Sequence, residues 1–136
     1  MDGLLAVKNV AVSIQRSPGD VYAFISSGEN VPRWATGLGK TIKPVDGEWV
    51  AEGPIGKVRV RFTPQNDLGV ADHDVVLETG LMVHNPIRVV PNGKGCTVIF
   101  TLMRLPNVSE QQFDNDARTV ERDLRSLKDL LERHAG

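Results

Sequence analysis

Residues 109–134, "SEQQFDNDARTVERDLRSLKDLLERH", decide how the rest of the chain must be arranged. Apolar residues fall at Phe113, Ala117, Val120, Leu124, Leu127 and Leu131, in steps of 4, 3, 4, 3 and 4. That spacing runs one apolar stripe along an α-helix. Ser109 and Gln112 have the S-x-x-Q spacing of a capping box, so the helix opens near Glu110. Glu121–Arg125 and Asp129–Arg133 are i,i+4 pairs on its wet side. A helix from Glu110 to His134 spans roughly 37 Å at 1.5 Å per residue. A stripe that long needs a long apolar surface, and the preceding residues offer a sheet.

From Lys40 to Leu105 the chain reads as a run of strands joined by short links. "KTIKPV" and "EWVAEG" flank Asp46-Gly47, a strong hairpin signal. In "KVRVRFT", Val58, Val60 and Phe62 alternate with Lys57, Arg59 and Arg61, so one face is apolar and the other charged. "VADHDVVLE", "LMVHNPIRVV" and "CTVIFTLMRL" follow, separated by Thr79-Gly80 and by Pro91–Gly95. Short links favour sequential antiparallel pairing. Before this run, Val10, Val12 and Ile14 mark a first strand. "SPGD" then opens a helix, with Ser17 as N-cap, Pro18 at its first position and Gly28 as its stop. A second short helix starts near Asn30 and carries Trp34 near its centre. The pattern predicts an α+β protein: one seven-stranded antiparallel sheet, two short helices between strands 1 and 2, and the long helix on the sheet. A sheet of that width must curl to cover its apolar face. Where it bends more than the helix can fill, a cavity remains.

The 136 residues fit one domain, taken as 1–136, large enough to bury a core without disulfides or metals. Sixteen basic and 17 acidic residues give a net charge of -1, with no basic excess to suggest nucleic acid. The single cysteine, Cys96, fits a reducing compartment. "MDGLLAVKNV" does not read as a signal peptide, and no run approaches membrane-spanning length. The expectation is a cytoplasmic protein with no membrane insertion.

The order of elements resembles the helix-grip fold of the START-like SRPBCC superfamily. "VSIQRSPGDVYAFIS" (12–26) and "VPRWA" (31–35) carry the resemblance near the start. "VVPNGKGCTVIFTL" (89–102) and "DARTVERDLRSLKDLLE" (116–132) carry it near the end. The nearest likeness is to the polyketide cyclase/dehydrase-like branch. The resemblance implies an apolar or amphipathic ligand held between the sheet and the long helix. Fold alone does not establish that function.

The residues that could do chemistry are few. Only three histidines occur, and one lies in Asp72-His73-Asp74. Strand alternation splits this apparent cluster. If Val75 and Leu77 face the core, so do Ala71 and His73, while Asp72 and Asp74 face water. The opposite phase would bury two carboxylates, which costs far more than one neutral imidazole. On the next strand Val83, Asn85, Ile87 and Val89 form the more apolar face, leaving His84 and Arg88 outside. A three-residue turn at Thr79–Leu81 would set Val75 opposite Asn85, with His73 diagonal to it. His73 and Asn85 then form a polar pair in an apolar pocket, or merely satisfy each other. Trp34 would line or gate the pocket mouth or plug the core; Trp49, Phe62 and Phe113 would line the wall or belong to the core. Arg33, Arg61 and Arg88 read as solvated surface, His134 as a helix-end cation and Cys96 as structural.

The candidate ligand-binding residues are therefore Trp34, Trp49, Phe62, His73, Val75, Asn85, Ile87 and Phe113. No metal-ligand spacing, phosphate loop or nucleophile triad is present, and no cofactor is expected. Three functions stay open. The first is a binding module for a small apolar or amphipathic molecule. The second is a cyclase or dehydratase with His73 as general acid or base and Asn85 orienting substrate. The third is a protein-interaction domain. The expected state is a monomer or a homodimer.

Overall fold

The computed structural model describes residues 3–133. Among these, the elements are β1 (Val7–Ile14), α1 (Pro18–Ile25), a 3-10 turn (Gly28–Asn30), α2 (Val31–Trp34), β2 (Thr41–Val45), β3 (Glu48–Gly53), β4 (Gly56–Phe62), β5 (His73–Leu77), β6 (Met82–Asn85), β7 (Ile87–Asn92), β8 (Gly95–Met103) and α3 (Glu110–Arg133). His134 lies outside the described residues.

The helix starts follow local chemistry. Ser17 Oγ accepts the Asp20 N–H at 3.2 Å, which caps α1. Gly28 does not stop that helix; Ser26 does, and Gly28 opens the 3-10 turn. A Cβ there would lie 2.4 Å from the Trp49 ring, so the turn needs glycine to approach β3. At α3, Ser109 Oγ accepts the Gln112 N–H at 3.0 Å. The Gln112 amide donates forward to Asp116 Oδ1 at 2.7 Å, so only half of the capping box forms.

The strands form two antiparallel sheets, β1-β8-β7 and β2-β3-β4-β5-β6, in place of the single seven-stranded sheet expected. The difference arises at Pro86. Residues 81–90 read as one strand, but a proline has no N–H for a ladder. β6 therefore ends at Asn85 and pairs with β5, while β7 begins at Ile87 and pairs with β8. The segment before β5 follows β7 across the corner: Ala71 N–H donates to Ile87 O and Val89 N–H to Gly69 O, each at 2.9 Å. The Asp46-Gly47 hairpin forms as expected, with φ of 51° and 82°.

The β5–β6 register also departs from expectation. Val75 stands opposite Val83, and His73 stands directly opposite Asn85. The turn is Glu78-Thr79-Gly80, one residue earlier than expected, because Leu77 N–H bonds Leu81 O at 2.9 Å. Moving the turn by one residue shifts each pairing by two, so every side chain keeps its face.

α3 runs along β1 in the same direction. Lys8 pairs with Asp114, Lys128 Nζ donates to Ser13 O at 2.8 Å, and Arg16 donates to Leu131 O at 2.9 Å. The two halves of the helix meet different surroundings. Leu124, Leu127 and Leu131 pack into a core with Ile14, Val21, Ile25, Val89 and Val98. Each such leucine contributes roughly 2 kcal/mol by leaving water. The first half of α3 faces open space.

Candidate functional site

That open space is a cavity of about 640 Å³, bounded by the first half of α3, the five-stranded sheet, β8 and the α2–β2 segment. The α3 residues that border it lie between Gln112 and Asp123, and the helix core begins at Leu124. Phe62, Val75, Leu77, Val83, Phe100 and Leu102 make most of its sheet wall. Leu5, Ile55, Leu81 and Met82 also border the cavity and are exposed, so they mark its mouth.

His73 is the polar centre of the sheet wall. It is the first residue of β5, opposite Phe62 on β4 and Asn85 on β6. Its ring lies 5.4 Å from that of Phe62 and 6.4 Å from that of Phe100, centroid to centroid. The imidazole is thus boxed by aromatic rings and only 6 % exposed. Its Nε2 meets Asn85 Nδ2 at 3.3 Å. Since the amide NH₂ donates, Nε2 accepts and the ring proton sits on Nδ1. Nδ1 makes no well-formed hydrogen bond, although the Ala71 backbone favours its protonated form. Burial lowers the His73 pKa from 6.5 to about 4, against the opposing influence of its neighbours, so the ring is neutral at pH 7.

Trp34 ends α2 and is 4 % exposed. It is an inner wall of the cavity, away from the exposed rim, and its indole Nε1–H also lacks a partner. Val75 and Phe113 border the same space from the sheet and from α3. Six of the candidate residues therefore meet around one cavity: Trp34, Phe62, His73, Val75, Asn85 and Phe113.

Trp49 and Ile87 do not border it. Trp49 packs beside Val60 and under Gly28, where it supports the 3-10 turn. Ile87 is 1 % exposed in the core between the three-stranded sheet and the helices. The break at Pro86 puts it in the other sheet, away from the wall that its alternation suggested.

Asp72 and Asp74 correct the expectation of two solvated carboxylates. Asp72 is buried, accepting the Ile87 N–H and Arg88 Nε at 2.9 Å and Arg88 Nη2 at 2.8 Å. The Arg88 guanidinium holds its carboxyl below the usual range. Asp74 meets His84 Nδ1 at 2.6 Å, with His84 Nε2 3.7 Å from Asp72. Alternation placed these groups on one face, but outward positions on neighbouring strands are also one another's neighbours. Arg88 is thus a partner of Asp72, not a free cation. Arg33 covers the Phe24 ring, Arg61 pairs with Glu48, and neither borders the cavity. Cys96 is buried, which raises its thiol pKa.

Asp123 was not expected at the site. It is 7 % exposed, borders the cavity, and accepts the Gly37 N–H at 3.3 Å and the Thr36 hydroxyl at 3.4 Å. Burial raises its pKa above the ordinary value. A signal was present in the spacing: Asp123 lies three residues after Val120 and four before Leu127, inside the flank of the stripe. Among the described residues no cluster of His, Cys, Asp and Glu is arranged to hold a metal ion.

The fold and the cavity define the class: an α+β protein of helix-grip type, its long C-terminal helix laid over curved antiparallel sheets. Solved structures of the same type agree over nearly the whole chain. XoxI from Bacillus cereus matches with a TM-score of 0.75 at 16 % identity, covering 97 % of this chain and 100 % of that one. The Aha1 dimer from Colwellia psychrerythraea matches with 0.75 at 17 %, covering 97 % and 100 %. Ara h 8.0201 matches with 0.66 at 9 %, covering 93 % and 97 %. At these identities the likeness concerns the fold. No family model matches the sequence, and no curated protein matches it. Among the described residues, no helix is long and apolar enough to cross a membrane.

Proposed function

We propose that this protein binds a small apolar or amphipathic molecule in the cavity between the sheet and the first half of α3. One observation carries this: about 640 Å³ of open space is walled mostly by apolar side chains. Protein interiors seldom leave such space empty, and a volume of this size suits a ligand. A few polar side chains, among them His73, Asn85, Gln112, Asp116 and Asp123, interrupt the apolar wall, as orienting groups do in ligand pockets.

A cyclase or dehydratase role for His73 has less support. His84, Asp116 and Asp123 do supply further ionisable groups on the cavity, of which Asp123 is buried. An imidazole with a pKa of about 4 holds almost no proton at neutral pH, however, and is a poor general acid there. In the binding role, His73 and Asn85 orient a ligand without exchanging protons with it. Native mass spectrometry of the purified protein, followed by titration with the neutral fluorophore N-phenyl-1-naphthylamine, tests the proposal. A retained small molecule, or saturable uptake of one fluorophore per chain, supports it. No retained molecule together with no uptake contradicts it.

A further inference from the structure

The polar side chains on the cavity wall are unequal in what they offer a ligand. Gln112, Asp116, Thr119 and Asp123 all border the cavity from α3, in steps of 4, 3 and 4. That spacing sets them in one polar row beside the apolar stripe, each close to the next. The row runs inward: Gln112 is exposed, Asp116 and Thr119 are partly buried, and Asp123 is buried.

Most donors on the wall are already committed. The Gln112 amide donates to Asp116 Oδ1 at 2.7 Å, and the Thr119 hydroxyl donates to Asn115 O at 3.2 Å. Asn85 Nδ2 donates to His73 Nε2. His84 Nδ1 is held by Asp74 at 2.6 Å, and its Nε2 lies 3.7 Å from Asp72. The Trp34 indole nitrogen and His73 Nδ1 are enclosed and reach no ligand. Acceptors remain in excess. Asp123 accepts from Gly37 and Thr36, and Asp116 from Gln112, so each carboxylate, with about four acceptor positions, has some to spare. Thr119 Oγ keeps an acceptor position too. The charge on the wall has the same sign as this excess. No lysine or arginine borders the cavity among the described residues, and His73 is neutral at pH 7. Any charge on His84 is answered by Asp72 and Asp74. Burial raises the Asp123 pKa, the direction expected where no cation is close enough to offset its charge.

We infer that the cavity takes an apolar molecule bearing a protonated amine, its ammonium seated on the Asp116–Thr119–Asp123 row and its apolar body against the sheet wall. An ammonium brings three donors, no acceptor and a positive charge, which is what the row lacks. Asp116 and Thr119 are i,i+3 and Thr119 and Asp123 are i,i+4, pairs about 5–6 Å apart at Cβ, so one ammonium can meet two of the three. A carboxylate or phosphate would meet like charge in a low-dielectric space. A hydroxyl would satisfy one acceptor and leave both charges unmatched.

This inference rests on the proposed binding function and is tested separately from it. Displacement of N-phenyl-1-naphthylamine from the wild-type protein at pH 7 is compared for decylamine, 1-decanol and decanoate, which share a chain length and differ in head-group charge. Decylamine should bind at least about tenfold more tightly than decanol, the lower range of a hydrogen bond to a charged group, and decanoate should bind weakest. At least one of Asp116→Asn and Asp123→Asn should lower the preference for decylamine over decanol by about threefold or more, and the one that does marks where the ammonium sits. Equal or tighter binding of decanol or decanoate would overturn the amine assignment while leaving cavity binding in place. So would an unchanged preference in both variants, with circular dichroism showing them folded. Failure of the fluorophore itself to bind would remove both proposals. The wild-type comparison decides the point even if a variant folds poorly.

Discussion

His73 shows how far a single residue could be read. Alternation placed it inward because the opposite phase buried two carboxylates, and it is inward, boxed by Phe62 and Phe100. Its pKa was not legible, because that depends on rings brought from three strands. The depressed value has a consequence for stability. A histidine at about 4 when folded and 6.5 when unfolded leaves the unfolded chain holding more protons between those values. Its contribution is complete above pH 6.5 and is lost as pH falls to about 4, amounting to about 3 kcal/mol. Urea titrations at pH 7 and pH 4.5 should show the wild type losing most of this, and His73→Gln losing far less.

At Asp72, unlike His73, folding favours the charged form, and the window lies lower. Its pKa is held below the ordinary value of 3.8, so its contribution to stability is complete above that value and lost only in more acidic solution. Asp72→Ala removes a two-pronged pair with Arg88 and a bond to Ile87 N–H. It should cost about 2 kcal/mol in urea denaturation at pH 7. The ion pair could not be read from the strand itself, since alternation tells which face a side chain occupies and not what lies across the gap.

At the scale of elements, α3 does two jobs along one stripe. The 4-3-4-3-4 spacing was legible as a single apolar face. The change of surroundings at Asp123 was not, because the curvature of a sheet leaves no local mark in a helix. Substitutions in the two halves should therefore behave differently. Leu127→Phe adds volume to a core position that is 0 % exposed and should cost about 2 kcal/mol. Val120→Phe extends toward the cavity and should cost less than about 1 kcal/mol. Thermal unfolding of the two variants beside the wild type measures the contrast. The β strands teach a related lesson. Pro86 was visible, yet residues 81–90 looked like one strand because apolar alternation continues across it from Val83 to Val89. The proline splits the ladder without changing the phase of the faces.

For the whole molecule, the order of elements was readable because each has a local cause: a cap, a hairpin turn, an alternating run, a long stripe. The division into two sheets and the contents of the cavity depend on meetings between distant residues. Inward-facing residues such as Trp49 and Ile87 need not meet the wall, because inward from two sheets does not mean into one space. The central claim is that the space under the first half of α3 receives a ligand. Titration of the wild type and Val120→Phe with N-phenyl-1-naphthylamine tests it most directly, with circular dichroism to confirm that both are folded. The expected result is saturable uptake of one fluorophore per wild-type chain and at least a tenfold loss of affinity in the variant. Absence of saturable uptake by the wild type, or undiminished uptake by a folded Val120→Phe, would contradict it.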